Sequence, residues 1–220
     1  MVTTAEVRED GAAGGTPPEA TPPGGTHGLS AHTGDQTRAR IMEVALELIA
    51  DHGYAATSTR EISERLGFTK AALYYHFRTK DDLLAALVAP SLGGLTTLIE
   101  RGRERSSAAD RRELVQGYVD LVGAHADLIH LLSNDPSVKE SAALKAALPL
   151  FEELVRLLTG TADPDTAQRT RGRAAIGAVH AALLHARPGD DPGVVRKTAV
   201  EAACGALGLN VPARRTRRPA

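Results

Sequence analysis

Tryptophan is absent from this 220-residue chain, cysteine occurs once and methionine twice, and four Tyr and three Phe are its whole aromatic content. The single Cys204 excludes an intramolecular disulfide. With no signal-peptide pattern at the start, this points to a reducing, cytoplasmic setting. A thiol bridge between two copies is the sharper reading of Cys204. A small apolar residue packed beside Ala202 and Ala203 is the plainer and better one. No run approaches the roughly 18 apolar residues of a membrane span, so no membrane partner is expected. An excess of either charge is also missing: the net charge is -1, so no overall basic field announces a polyanion. There is no phosphate loop, no metal-ligand cluster and no nucleophile elbow, so the chain does not read as an enzyme and implies no cofactor. Alternating strand patterns and internal repeats are lacking as well, which leaves an all-α fold.

What is present is a chain 42% hydrophobic and 24% charged, enough for a sizeable core. Its basic residues are mostly arginine, and with abundant Ala and Gly this suggests a GC-rich bacterial genome. Residues 1–35 are rich in Gly, Pro, Thr and Ala and cannot bury enough apolar surface to fold alone, so a disordered tail is expected. The tail is net acidic, which argues against a DNA-tracking arm. Arg214, Arg215, Arg217 and Arg218 make residues 212–220 a short basic tail, better read as solvated than as a nucleic-acid contact.

Helix-start signals crowd residues 37–83. The first helix, about Gln36 to His52, places Ile41, Ala45, Leu48 and Ile49 on one apolar stripe, and Gly53 stops it. Ser58 stands three residues before Glu61 as a capping box for a second helix carrying Ile62 and Leu66. Gly67, Phe68 and Thr69 form a turn of the length a helix-turn-helix requires, and Thr69 caps a third helix from Lys70. Thr79 caps a fourth, with Asp81 and Asp82 in its first turn complementing the helix dipole.

On the third helix, Leu73 and Phe77 are four apart and should pack inward against Ile62 and Leu66. Lys70 and Tyr74, Ala71 and Tyr75, and Ala72 and His76 fall on other faces. Four faces cannot all be buried on a two-turn helix, so Tyr74, Tyr75 and His76 are expected at least partly outward. Core packing explains either ring singly, but a solvent-facing pair beside Lys70 is better explained by DNA: hydroxyls donate to phosphates and ring edges touch thymine methyls.

This stretch resembles the N-terminal DNA-binding domain of the TetR family of transcriptional repressors. The match is carried by Arg40-Ile41, Ala45 to Ile49, Gly53-Tyr54, Thr57 to Ile62, Leu66-Gly67, Leu73 to Phe77, Lys80 and Leu83-Leu84. The resemblance implies a helix-turn-helix DNA-binding domain over residues 36–89, its motif at about 58–77. A helical ligand-binding and dimerisation domain would follow over residues 90–211, giving about nine helices in all. It implies DNA contacts from Thr59 and Arg60 at the second helix, and from Thr69, Lys70, Ala71 and Ala72 where the recognition helix opens. Tyr74, Tyr75 and His76 would clamp phosphates, and Lys80 would add another phosphate contact. Ala71 and Ala72 carry no hydrogen-bonding side chain, so Lys70 is the main candidate for reading a guanine, and sequence preference leans on methyl contacts and DNA shape. Residues 37–89 hold seven basic and seven acidic side chains, so binding must come from their placement on one face.

The remainder reads as helices. Pro90 and Gly93-Gly94 should kink or break the fourth, which would resume near Leu95. A fifth helix from near Ala109 carries Leu114, Tyr118, Leu121 and Val122. A short one precedes the Asn134-Asp135-Pro136 break, and the next, about Val138 to Leu158, is interrupted by Pro149 and closed by Gly160. Asp163-Pro164 and Asp191-Pro192 look like acidic caps followed by proline at the first helical position. The last helix has a stripe of Val195, Ala199, Ala202 and Ala203.

In the resembled family the last two helices pair with their copies, so a homodimer reading two half-sites of a near-palindromic double-stranded operator is expected. The resemblance also implies a small-molecule inducer held among the middle helices; Tyr118, His125, His130, Phe151 and His180 are the candidate contacts. The pairs His125/His130 and His180/His185 are five apart and fall on different helix faces, which argues against a metal site. The expected function is a repressor released by a small molecule. The alternative is a helical ligand- or protein-binding adaptor with weak or lost operator affinity, favoured only by Ala71-Ala72 and the neutral head.

Overall fold

The computed structural model describes residues 27–105 and 107–209. Among them are ten helices and no strand: α1 His27–His52, α2 Thr59–Leu66, α3 Lys70–His76, α4 Lys80–Gly102, α5 Ala108–Ala124, α6 Ala126–Ser133, α7 Pro136–Glu140, α8 Ala142–Thr159, α9 Thr166–Leu184 and α10 Pro192–Ala206. The fold is all-α, with an N-terminal helix-turn-helix. The basic tail at 212–220 and residues 1–26 lie outside the described residues.

Two apolar clusters organise the helices. The first joins Ile41, Ala45, Leu48 and Ile49 of α1, Ile62 of α2, Leu73 of α3 and Phe77 to Leu83, Leu84, Leu87 and Val88 of α4. The second joins Leu95 and Ile99 of α4 to α5, to Leu154 and Leu158 of α8, and to Ala175, Val179, Ala199 and Ala203 on the paired α9 and α10. α4 belongs to both clusters, so the change expected at residues 89 and 90 falls inside a continuous helix.

Local capping explains most boundaries. Ser58 Oγ accepts from Glu61 N at 3.1 Å and Thr69 Oγ1 accepts from Ala72 N at 3.2 Å. The Glu61 carboxylate does not return the bond to complete a capping box; it lies 3.9 Å from His52 Nδ1. Thr79 and Asp82 make the complete box at the start of α4. Gly67 ends α2 at φ 67°, a left-handed conformation that a side chain would strain.

Five expectations are corrected. α1 begins at His27 rather than near Gln36, so residues 27–35 are helical: between Pro23 and the packed stripe no proline intervenes, and extending an existing helix costs far less than starting one. α4 runs unbroken through Pro90, and α8 runs through Pro149. Both prolines lie on exposed faces, where water can take the carbonyl that each leaves unpaired. The break comes instead at Ser141, which accepts from Leu144 N at 3.2 Å and separates α7 from α8. α9 is capped by Asp165 rather than Asp163. Asp165 and Gln168 exchange reciprocal bonds, each 2.8 Å, which the Asp163-Pro164 pair has no partner to match. Finally, by length and mean hydropathy of 1.6, α4 is apolar enough to cross a membrane. Its Leu83, Leu84, Leu87, Val88, Leu95 and Ile99 are buried in the two clusters, as in a helix that packs within a core.

Gly94 breaks nothing; it lets helices approach. A Cβ there would strike the Leu121 side chain of α5, and one at Gly117 would sit 2.6 Å from Leu98 Cδ1. α4 and α5 therefore cross where one helix at each point presents only hydrogen.

Candidate nucleic-acid interface and body cavity

The recognition helix sorts its side chains by burial. Leu73 and Phe77 are 0% and 1% exposed and sit with Ile62 in the core of the head, while Leu66 packs against them partly buried. Lys70, Ala71, Ala72, Tyr74 and Tyr75 are exposed, Tyr75 at 86%. His76 is half-buried and meets the Tyr75 ring edge-on with centroids 5.2 Å apart. Lys70 Nζ lies 5.5 Å from the Tyr74 ring centre on the exposed face, with no ion pair among the described residues. Thr69 is exposed and Thr59 half-buried at the two helix starts.

Arg60 is exposed but engaged: its Nε donates to Glu64 Oε1 at 2.7 Å. Such an exposed pair is weak and screened by solvent, so a phosphate can replace Glu64 at little cost. Arg38 Nη1 donates to the carbonyl of His76 at 3.2 Å and lies over the Phe77 ring at 4.3 Å, which ties α1 to the end of α3.

Lys80 departs from its expected place. Its ammonium donates to the carbonyls of Tyr54 and Ala55 and lies 4.1 Å from the Tyr54 ring centre. Burial pushes its pKa down, against the opposing pull of Asp135 and Asp81. The ammonium expected to meet a phosphate thus has internal partners, because the turn after α1 offers two carbonyls within reach.

Around Lys80 a polar clamp joins the head to α7 and α8. Tyr54 Oη donates to Asp81 Oδ1 at 2.7 Å, and Ala142 N at the start of α8 donates to Asp81 Oδ2 at 3.2 Å. Ala55 N donates to Asp135 Oδ2 at 3.2 Å, while Asp135 Oδ1 caps α7 by accepting from Ser137 N at 2.9 Å. The Ser137 hydroxyl holds the Asp135 carboxyl below the usual carboxylate range. Burial, followed by the bond to Asp81, raises the Tyr54 phenol. Sequence reading missed this clamp: Asp135 was legible only as part of a break, and nothing local marks its bond across eighty positions to Ala55.

The body holds a cavity of about 410 Å³ between α4, α5, α6, α7, α8 and α9. Its walls are mostly Leu, Val and Ile. Of the candidate ligand contacts, Tyr118, Phe151 and His180 line it. His125 and His130 do not: they border a surface groove between α1 and α6. His125 is the residue shared by the end of α5 and the start of α6, and His130 Nε2 lies 3.3 Å from Asn134 Nδ2 at the surface. Both candidates fall outside the cavity for one reason: which face of the short α6 points inward depends on its packing against α9, not on its own spacing. Lys139 and Leu144 also line the cavity; no pattern in the sequence singles them out. Among the described residues no group of His, Cys, Asp and Glu is arranged to hold a metal ion.

A helix-turn-helix that turns its cation and aromatic side chains outward, on an all-helical body, is the architecture of a DNA-binding transcriptional regulator. Residues 41–87 match the family model of the bacterial regulatory proteins, tetR family. Solved structures agree with the fold over most of the chain. AmtR of Mycobacterium smegmatis matches with a TM-score of 0.56 at 23% identity, covering 88% of this chain and 100% of that one. A TetR-family regulator from Streptomyces coelicolor matches at 0.58 and 22%, covering 78% and 91%. The ketosteroid transcriptional regulator of Mycobacterium tuberculosis matches at 0.58 and 17%, covering 78% and 93%.

Proposed function

We propose that the chain is a bacterial, cytoplasmic, homodimeric repressor that holds a near-palindromic operator and leaves it when a small molecule enters the body cavity. The observation that carries this reading is the double role of α6 and α7. Leu132, Ser133, Val138 and Lys139 wall the cavity, and Asp135 between them bonds the backbone of the turn that leads into the helix-turn-helix. A ligand that displaces α7 has a direct route to the angle of the reading head.

Dimerisation is supported by the outer faces of α9 and α10. Ala174, Gly177 and Ala181 are exposed on one, and Val194, Thr198 and Ala202 on the other, Val194 at 61%. Of the stripe on the last helix, Ala202 is on this outer face, while Ala199 and Ala203 are buried, with Cys204 buried beside Ala203. Small side chains suit close helix pairing between two copies. DNA contact is assigned to Thr59, Arg60, Thr69, Lys70, Ala71, Ala72, Tyr74, Tyr75 and His76, with Lys80 acting through the turn that it braces.

The helical-adaptor reading rests on Ala71 and Ala72, which add no hydrogen-bonding side chain beside Lys70 at the base-facing start of the recognition helix, and on the neutral head. Selection from random duplex DNA with the purified protein separates the two. A regulator recovers a two-fold-related pair of half-sites about one or a few helical turns apart. Recovery of no sequence above the starting pool would favour the adaptor.

A further inference from the structure

The body cavity carries its polar groups in an uneven way. Tyr118 Oη and His180 Nε2 are 2.7 Å apart, with rings stacked at 5.9 Å between centroids, and Tyr118 is 3% exposed. The Ser91 hydroxyl is already spent on the carbonyl of Val88 at 2.8 Å. Among the described residues no acidic side chain lines the space, and the one cation, Lys139, is exposed to solvent. Burial raises the Tyr118 phenol and lowers the His180 imidazolium, so both members of the pair are neutral near pH 7.

A neutral Tyr–His pair has a fixed remainder. If Tyr118 donates to Nε2, then Nδ1–H is left as a donor and the phenol oxygen as an acceptor. If Nε2–H donates to Tyr118, the phenol O–H is left as a donor and Nδ1 as an acceptor. Either tautomer leaves one donor and one acceptor in a space whose other polar side chains are the bonded Ser91 and the solvent-exposed Ser133 and Lys139. An alkyl tail packed over them would strip their water and return nothing. A carboxylate or ammonium there would be desolvated without a counter-charge. The opposite pose, with a carboxylate at Lys139 and the tail inside, gains only an exposed ion pair and still leaves the polar pair unmet.

We propose that the cavity takes an uncharged, mainly apolar ligand bearing a hydroxyl or carbonyl, and that Tyr118 and His180 bind this oxygen and reject a charged end of the same chain length. This rests on the reading of the cavity as the ligand site, and the test keeps the two separable. Purified full-length protein is titrated with Nile red, a neutral apolar dye, and the dye is then displaced by decan-1-ol, decanoate or decylammonium at pH 7.5. Nile red fluorescence that is lost in Leu92→Trp, which fills the cavity, establishes the site. Decan-1-ol should then displace the dye at about tenfold lower concentration than either ion. Tyr118→Phe should erase most of that preference, read as the ratio of the displacing concentrations of decan-1-ol and decanoate within the same variant. Decanoate displacing best, with its advantage lost in Lys139→Ala, overturns the ligand class while leaving the site intact. Dye binding that is absent, or indifferent to Leu92→Trp, overturns the site and the proposal with it.

Discussion

In the reading head the residues assigned to DNA come from one stretch, Thr59 to His76, and all but the half-buried Thr59 and His76 are exposed. In the body cavity they come from positions as distant as Val88 and His180, on six helices, and converge inward. The head presents charge and aromatic rings to a partner that arrives from outside. The cavity presents an apolar wall with one neutral polar pair to a partner that must leave water. The difference teaches where each function is encoded: the head in local spacing and caps, the cavity in tertiary convergence.

The largest expected effect is in the head core. Leu73 is fully buried, and Leu73→Ala should cost about 2–5 kcal/mol by lost burial and a residual cavity. Urea unfolding followed by circular dichroism measures it. A single transition shifted as a whole would show that head and body unfold together through α4. Separate transitions would break the comparison into two independent halves.

Lys70→Ala should cost about 1–3 kcal/mol at the preferred base and relax preference there, read by competition between operator variants. Lys80→Ala sharpens the contrast. A phosphate contact would lower the salt slope by roughly 0.9. With its ammonium held on Tyr54 and Ala55, the expected result is lower thermal stability with the slope unchanged.

Asp135→Ala removes the cap of α7 and the bond to Ala55 together. The expected cost is about 1 kcal/mol. Amide exchange should speed up at Ala55 in particular, as measured by NMR on labelled protein. Unchanged exchange there would deny the clamp its place between body and head.

The smallest effect concerns pH. Burial depresses the His180 pKa in the folded state. The unfolded chain therefore takes up a proton that the folded chain resists, and stability falls as pH drops below about 6.5. His180→Gln should flatten that part of the profile, measured as melting temperature from pH 5 to 8. An identical slope would show that His180 titrates freely.

Much of the head was legible in the sequence because its signals are local. The Ile41, Ala45, Leu48, Ile49 stripe is buried, and Ser58, Thr69 and Thr79 cap the helices they precede. Leu73 and Phe77 turn inward and leave Tyr75 in solvent. The body was less legible. Pro90 and Pro149 are strong breakers in isolation but lie on solvated faces of helices held at both ends. Asp163-Pro164 imitates a cap that Asp165 and Gln168 make better. Tyr118 and His180 were both candidates, yet their contact joins positions 62 apart and no periodicity pairs them. The Asp135–Ala55 bond is hidden in the same way.

The central claim is that the outward face of α3 reads DNA. Its most direct test is a mobility shift of the purified protein on the DNA flanking its own gene and on selected duplexes, across a salt series. The expected result is saturable binding that survives competitor DNA, weakens linearly in log affinity with log salt, and loses base preference in Lys70→Ala. Failure to find specific binding to any duplex, or specific binding that is indifferent to Lys70, would contradict it.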